Sequence, residues 1–298
     1  MTQIAAPCST IIPVITPTDQ RTVLITGCSS GIGAWVAAGL KARGYRVFAT
    51  ARKASDAAAL NAQGFESVRL DLADSASIHA AVGEVLQRSG GAIDALVNNG
   101  GFGQPGAVED LRREVLRAQF ETNLFGAIEL TNAIIPLMRK QGSGRIIMNS
   151  SVLGLVAMPY RGAYNASKFA LEGITDTLRQ ELYGSGIHIS LLEPGPIASR
   201  FRANAFALYQ KNIDKQHSAH RAIYEGMEKR LTKPGPAQPF TLPPEAVLKK
   251  VLHALESPRP KARYYVTVPT YFLGTLRRVL TTRGMDRLMR VLSRRENR

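Results

Sequence analysis

Short apolar runs rich in β-branched residues alternate along this chain with longer stretches whose apolar positions return every three or four residues. The runs at 21–26, 45–50, 67–70, 93–98, 145–150, 187–192 and 264–268 read as strands. Between them, 33–42, 75–87, 119–139 and 163–183 read as helices. Short, almost wholly apolar strands separated by helices predict an α/β fold. The expected form is one doubly wound parallel sheet of about seven strands, buried on both faces. Right-handed crossovers place the ligand site of such a sheet at the carboxyl ends of its strands.

Two regions break the alternation. Residues 198–243 form a long insertion of mixed apolar and basic character, ended by Pro234, Pro236, Pro243 and Pro244, and read as a helical lid. In 271–298, Leu276, Val279, Leu280, Met285, Leu288, Met289 and Leu292 recur near helical spacing among arginines, which predicts a basic amphipathic segment: a surface helix, a docking element or a C-terminal packing helix. The chain thus divides into a flexible lead-in over 1–19, an α/β domain over 20–270 and this C-terminal segment.

Charge changes the picture only locally. The net charge is +15, and from Arg259 to Arg298 eleven basic residues face two acidic ones. No zinc spacing, basic zipper or aromatic stacking motif accompanies them, so nucleic acid is not expected. A solvated basic tail explains the charge, and contact with an anionic membrane surface is the alternative. Two cysteines, Cys8 and Cys28, give no disulfide framework, and no apolar run reaches membrane-spanning length; a cytoplasmic location follows as the expectation. The five histidines form no ligand set, and no metal is expected.

The first strand runs into Thr26-Gly27-Cys28-Ser29-Ser30-Gly31-Ile32-Gly33, and a helix follows. Glycines there let the backbone turn tightly and approach a pyrophosphate, and the helix end supplies free N–H groups. The second strand ends in Thr50-Ala51-Arg52-Lys53, with two cations where an acid would receive the ribose 2′-hydroxyl of NAD. A 2′-phosphate would meet attraction from Arg52 and Lys53, so NADP(H) is the expected cofactor.

This glycine motif, together with Asn98-Asn99-Gly100-Gly101, Tyr164-Asn165-Ala166-Ser167-Lys168 and Pro194-Gly195, resembles the short-chain dehydrogenase/reductase family in order and spacing. The resemblance covers roughly residues 20–200 and the last strand, and implies a Rossmann-type sheet. It is similar in particular to NADP-preferring steroid, retinoid and acyl-dihydroxyacetone-phosphate reductase-like members. It implies Asn123, Ser151, Tyr164 and Lys168 as catalytic residues, Asn123 supporting a water chain to the lysine. Around the cofactor it implies Gly27, Ser29, Ser30, Gly31, Ile32, Gly33, Asp71, Leu72, Asn98, Gly100, Pro194, Gly195, Ile197 and Ser199, with Tyr164 and Lys168. Cys28 and Gly100 stand where the family more often has alanine.

The chemistry is coherent on its own terms. Tyr164 and Lys168 share a helix face, and an ammonium beside a phenol is expected to lower its pKa toward general acid/base range. Ser151 is expected to bind the substrate oxygen; strand alternation turns Ser150 the other way. Leu153, Met158 and Phe201, with Leu155, Phe206, Leu208 and Tyr209 nearby, are expected to wall the substrate site. They suit a bulky hydrophobic ketone or alcohol. The expected function is therefore an NADP(H)-dependent carbonyl reductase or alcohol dehydrogenase; a nucleotide-sensing or surface-docking protein is the alternative. The family resemblance implies a homodimer or homotetramer.

Overall fold

The computed structural model describes residues 20–236 and 239–296; the expected lead-in, with Cys8, lies outside them. The strands are β1 (Thr22–Ile25), β2 (Arg46–Ala51), β3 (Glu66–Arg69), β4 (Ala95–Asn98), β5 (Gly144–Asn149), β6 (Ile187–Glu193) and β7 (Arg263–Tyr265). They form one sheet in the order β3-β2-β1-β4-β5-β6-β7, and every pairing is parallel. The order reverses between β1 and β4, which opens a crevice at their carboxyl ends.

Period-two side-chain alternation divides the core between two faces. Leu24, Phe48, Leu96 and Ile146 point into one layer, covered by α3 (Ser75–Ser89), α5 (Gly126–Gln141) and α6 (Gly162–Glu181). Val23, Ile25, Val47 and Val97 point into the other, covered by α1 (Gly31–Ala42), α2 (Ala54–Ala62) and α9 (Glu245–Glu256). Local signals set the helix ends. Asp74 caps α3 by accepting from the Ala76 and Ser77 amides, and Gly90 and Gly142 close α3 and α5 in the left-handed conformation.

The expected helix over 119–139 is longer and less regular than its pattern suggests. It is α4 (Arg113–Phe120), a π-helical turn over Glu121–Phe125, and then α5. The alanine-rich α2 carries little apolar periodicity and escapes a reading based on pattern. The strand expected at 264–268 ends at Tyr265, and Val268 instead starts α10 (Val268–Val279), with Pro269 in its first turn, where its missing N–H costs nothing.

The insertion over 198–243 folds as α7 (Phe201–Asn212) and α8 (Arg221–Thr232). These helices have a core of their own: Tyr209, Ile213, Tyr224, Met227 and Leu231 pack on Leu111, Val115 and Ala163. Phe206 and Tyr209 therefore belong to this core rather than to the expected substrate wall. The C-terminal segment is not a solvated tail. Leu273, Met285 and Met289 from α10 and α11 (Thr282–Glu296) pack on Leu153 and Val156, with Leu276, Leu288, Leu292 and Tyr164 around them. At the far end of α11, Glu296 pairs with Arg161, at the start of α6, and lies 3.9 Å from Arg230 of α8.

The edge strand β7 is tied to the interior by Arg263. Its guanidinium holds Glu172 of α6, Asp176 at 2.5 Å and Glu193 of β6 at 2.5 Å. Glu172 and Glu193 are both buried, and one guanidinium cannot neutralise the pair. Burial pushes both carboxyls above the ordinary range, and for Glu193 the neighbouring Glu172 adds to the rise. Removing the cation leaves unpaired buried acids. Arg263→Met is therefore expected to lower unfolding free energy by about 3–5 kcal/mol in urea titrations, and Glu193→Gln by far less. Because the native state holds a proton that the unfolded chain has released, the Glu193 contribution falls as pH rises above the ordinary glutamate range. Glu193→Gln should flatten that slope.

Candidate active site

At the carboxyl end of β1 the chain must turn under the mouth of the crevice, and the space there is minimal. Gly27 turns at φ 71°, and a Cβ on it would meet the Gly100 Cα at 2.9 Å. A Cβ on Gly33 would collide with the Gly27 carbonyl and with Asn99. Gly100 has a steric cause too: a Cβ there would meet Leu72 Cδ1 at 2.8 Å and Thr26 Oγ1 at 3.2 Å. The buried Leu72 fills the room that an alanine side chain would use.

Helix α1 begins above this turn with its first N–H groups available. Ser30 at the N-cap makes no side-chain cap, and no acidic residue stands in the first turn. Such a helix end favours an anion. Ser199 closes in from the other side: a Cβ on Gly31 would meet the Ser199 Cβ at 3.1 Å. Ile197 bridges to Leu242, so the segment after Pro194 and Gly195 runs as a short extended strap beside the mouth. Arg52 and Lys53 extend from the end of β2, exposed, and among the described residues neither side chain has a hydrogen-bond or ion-pair partner. Asp71 follows β3, half-buried, with Oδ1 accepting from the Ala73 amide. Asn98 differs from its expected part: its side chain donates to Thr131 Oγ1 at 2.8 Å within the core, leaving only its backbone toward the crevice. Cys28 is wholly buried, its thiol donates to the Ile25 carbonyl, and burial pushes it up to about 12, so it stays an unreactive thiol.

The catalytic candidates converge beyond β5. Ser151 follows the strand in extended conformation and accepts from the Leu153 amide at 3.1 Å. Its hydroxyl lies beside the Tyr164 phenol and favours the ionised form. Ser150 turns away toward Glu172, as alternation requires. Tyr164 and Lys168 lie one turn apart on α6, with the Lys168 ammonium 5.7 Å from the Tyr164 ring centre. Phe201, the first residue of α7, meets the Tyr164 ring edge-on at 5.4 Å. Leu153 and Met158 stand on the other side, backed by α10 and α11. Asn123 sits in the π-helical turn, buried, and both ends of its amide bond the Phe102 backbone, at 2.8 and 3.0 Å. It also reaches Ser167 Oγ at 3.3 Å. Such π turns recur where a helix must present an irregular backbone at a site.

Protonation departs from the expected direction. Lys168 Nζ donates to the Asn149 carbonyl at 2.7 Å rather than to the phenol, and burial lowers it to about 8, against a rise from Glu172. With no cation on its oxygen, Tyr164 is pushed up to about 12 by burial, the Ser151 hydroxyl opposing. The lysine therefore does not lower the phenol here: desolvation of a would-be phenolate outweighs a cation that sits over the ring. At neutral pH the Tyr164 phenol is protonated.

Three functional positions escape the motif reading. Asn149 accepts from Lys168 through its carbonyl and donates through its amide to Asn99 Oδ1 at 2.9 Å. Asn99 in turn donates to the Thr26 carbonyl at 3.0 Å and the Gly27 carbonyl at 3.2 Å. Glu172, one turn beyond Lys168, faces it with Arg263 behind. The Asn-Asn pair and the polar residue ending β5 were the available signals; Glu172 looks in sequence like an ordinary helix acid. His217 and His220 of the insertion pair with Asp214 and Glu109, and no metal-binding cluster occurs among the described residues.

Known proteins resemble this chain in sequence and in fold. A family model described as short chain dehydrogenase matches residues 21–209. An uncharacterized oxidoreductase of Escherichia coli, YbbO, is 43% identical over 91% of this chain and 94% of its own length. Human 17-beta-hydroxysteroid dehydrogenase type 1 is 34% identical over 83% of this chain and 78% of its own. An actinorhodin polyketide ketoreductase variant solved with NADPH superimposes with a TM-score of 0.71 at 27% identity, covering 87% of this chain and 99% of that one. The family match and the seven-stranded parallel sheet thus place the chain among oxidoreductases acting on CH–OH and C=O groups, and the chain belongs to the short-chain dehydrogenase/reductase family.

Proposed function

We propose that the chain is an NADP(H)-dependent carbonyl reductase in which Tyr164 donates the proton. The observation that carries this reading is the convergence of Ser151 and Tyr164, from separate elements, with Lys168 buried behind them. The cradle of Gly27, Ser29, Ser30, Gly31, Ile32 and Gly33 at the uncapped end of α1 fits a pyrophosphate. Asp71, Leu72 and the backbone at Asn98 and Gly100 flank the adenosine end, and Pro194, Gly195, Ile197 and Ser199 the nicotinamide end. Reduced nicotinamide, when bound, supplies hydride to the carbonyl carbon. Ser151 and Tyr164 hold the carbonyl oxygen, and Tyr164 transfers its phenolic proton to that oxygen as negative charge grows there. Lys168 balances the phenolate left behind, and Asn123 supports the water path that returns a proton.

The unpaired Arg52 and Lys53, with no carboxylate at the end of β2, support NADP(H) over NAD(H). Leu153, Met158 and Phe201 support a bulky apolar ketone, and the similarity to a relative named for a hydroxysteroid supports it further. Paired subunits belong to the same reading. Phe125 on the π turn before α5, and Phe169 and Ile174 on α6, are exposed. Phe125 and Ile174 also line one shallow groove with Ile128. Among the described residues no helix is long and apolar enough to cross a membrane, and the buried free thiol of Cys28 accords with a cytoplasmic enzyme.

Five outcomes are expected. Arg52→Ala should raise the KM for NADPH about 10-fold or more and leave that for NADH nearly unchanged, the loss of a charge-assisted contact worth about 1.5–3 kcal/mol. The reductive kcat/KM should fall as pH rises through about 8, where Lys168 loses its charge. In Glu172→Gln, which removes the neighbouring anion, that alkaline limb should move to lower pH. In a panel followed by NADPH absorbance, bulky apolar ketones should outrun small polar carbonyls; the reverse order would exclude the apolar wall as the substrate site. A Phe125→Glu, Ile174→Glu double variant should sediment as a monomer in analytical ultracentrifugation where the natural chain does not.

A further inference from the structure

Helix α10 is apolar on two faces, and the fold uses only one. Its inner face, Thr270, Leu273 and Gly274, is buried beside Tyr265 and the wall behind Tyr164. On the outer face Val268, Tyr271, Phe272 and Val279 are 59, 51, 56 and 74% exposed. With the exposed Thr275 they recur at helical spacing, so they form one stripe along the helix. Scattered apolar residues on a surface are ordinary, but an aligned aromatic and aliphatic row marks a place of contact. Tyr271 is steadied by the Tyr265 ring at 5.4 Å and by Lys250 Nζ at 3.5 Å from its hydroxyl, so the row is presented in a fixed orientation.

The surroundings of the stripe decide its partner. Arg277 and Arg278 are exposed on the same helix, which contains no acid, and Arg283, Arg287, Arg290 and Arg294 are exposed on α11. A second copy docking stripe to stripe about a two-fold axis would set these arginines against their own equivalents. Like charges brought together at low separation oppose such a contact. An apolar row with Lys250 and Arg278 beside it, and further exposed arginines on α10 and α11, suits a surface with anionic headgroups over an apolar interior. We infer that the outer face of α10 docks the enzyme on an anionic lipid surface, Tyr271, Phe272 and Val279 entering the interfacial layer and the arginines meeting the headgroups. This surface is distinct from the apolar face of 271–298 that the sequence pattern offers, since Leu276, Leu288 and Leu292 are turned toward the wall behind Tyr164. The placement stands apart from the proposed catalysis, because binding needs no turnover. It brings a lipid-dissolved ketone to the side of the molecule where α10 and α11 back the substrate wall.

The test is co-sedimentation of the full chain with phosphatidylcholine vesicles made with and without phosphatidylserine, at low and high salt. The natural chain is expected to bind the anionic vesicles, to bind the neutral ones far more weakly, and to release in salt. Tyr271→Ser with Phe272→Ser, and separately Arg277→Glu with Arg278→Glu, should each weaken binding about tenfold or more. Both double variants should keep the reductase activity of the natural chain on a water-soluble carbonyl, since the altered side chains are exposed. Equal binding to both vesicle types, no binding at all, or binding unaffected by either double variant overturns the proposal. So does a result in which the stripe mediates self-association in ultracentrifugation, or capture of an acidic polypeptide, while vesicles are ignored.

Discussion

The carboxyl ends of β1, β4 and β5 are held in register by one polar chain, and both ends of the site depend on it. Lys168 donates to the Asn149 carbonyl, Asn149 donates to Asn99, and Asn99 donates to the carbonyls of Thr26 and Gly27. The chain therefore runs from the buried ammonium behind Tyr164 to the turn beneath the anion-binding end of α1. Every link passes between strands that are neighbours in the sheet, β1 to β4 to β5, and then to α6. Buried amide and ammonium groups are costly when unpaired, so each member fixes the next. A Cβ at Gly33 would intrude directly on the Asn99 amide, which explains why the turn is so tightly confined there.

That constraint also accounts for the protonation of the site. Because the Asn149 carbonyl takes the lysine's hydrogen bond, the ammonium lies over the Tyr164 ring instead of on its oxygen. Desolvation then raises the phenol and lowers the amine, opposite in effect to a direct Tyr–Lys contact. Glu172, anchored by Arg263, restores part of the lysine's preference for charge. The ionic cluster between α6, β6 and β7 thus lies one helical turn from the chemistry and belongs to its electrostatic setting.

Much of this was legible in the chain itself, for identifiable reasons. Strands buried on both faces read as apolar runs, so the sheet emerged with ends off by a residue or two. Fixed spacing placed Ser151 and Tyr164 on separate elements that the structure brings side by side. Features that depend on distant packing were not legible. Asn98 carries a motif position yet commits its side chain to Thr131, and Phe206 and Tyr209 turn inward within the insertion. Amphipathic periodicity announced the C-terminal helices but not their docking against Leu153 and Val156. The direction of the Tyr164 shift depends on which acceptor Lys168 chooses, and no spacing rule contains that choice.

The central claim is that the Tyr164 hydroxyl delivers the proton in reduction. Removing only that oxygen in Tyr164→Phe, with NADPH binding followed by fluorescence and turnover by absorbance, tests it most directly. The account predicts unchanged NADPH affinity with turnover reduced about 10²–10⁴-fold, the range for loss of a general acid. A variant that binds NADPH normally and turns over at the rate of the natural chain would contradict it.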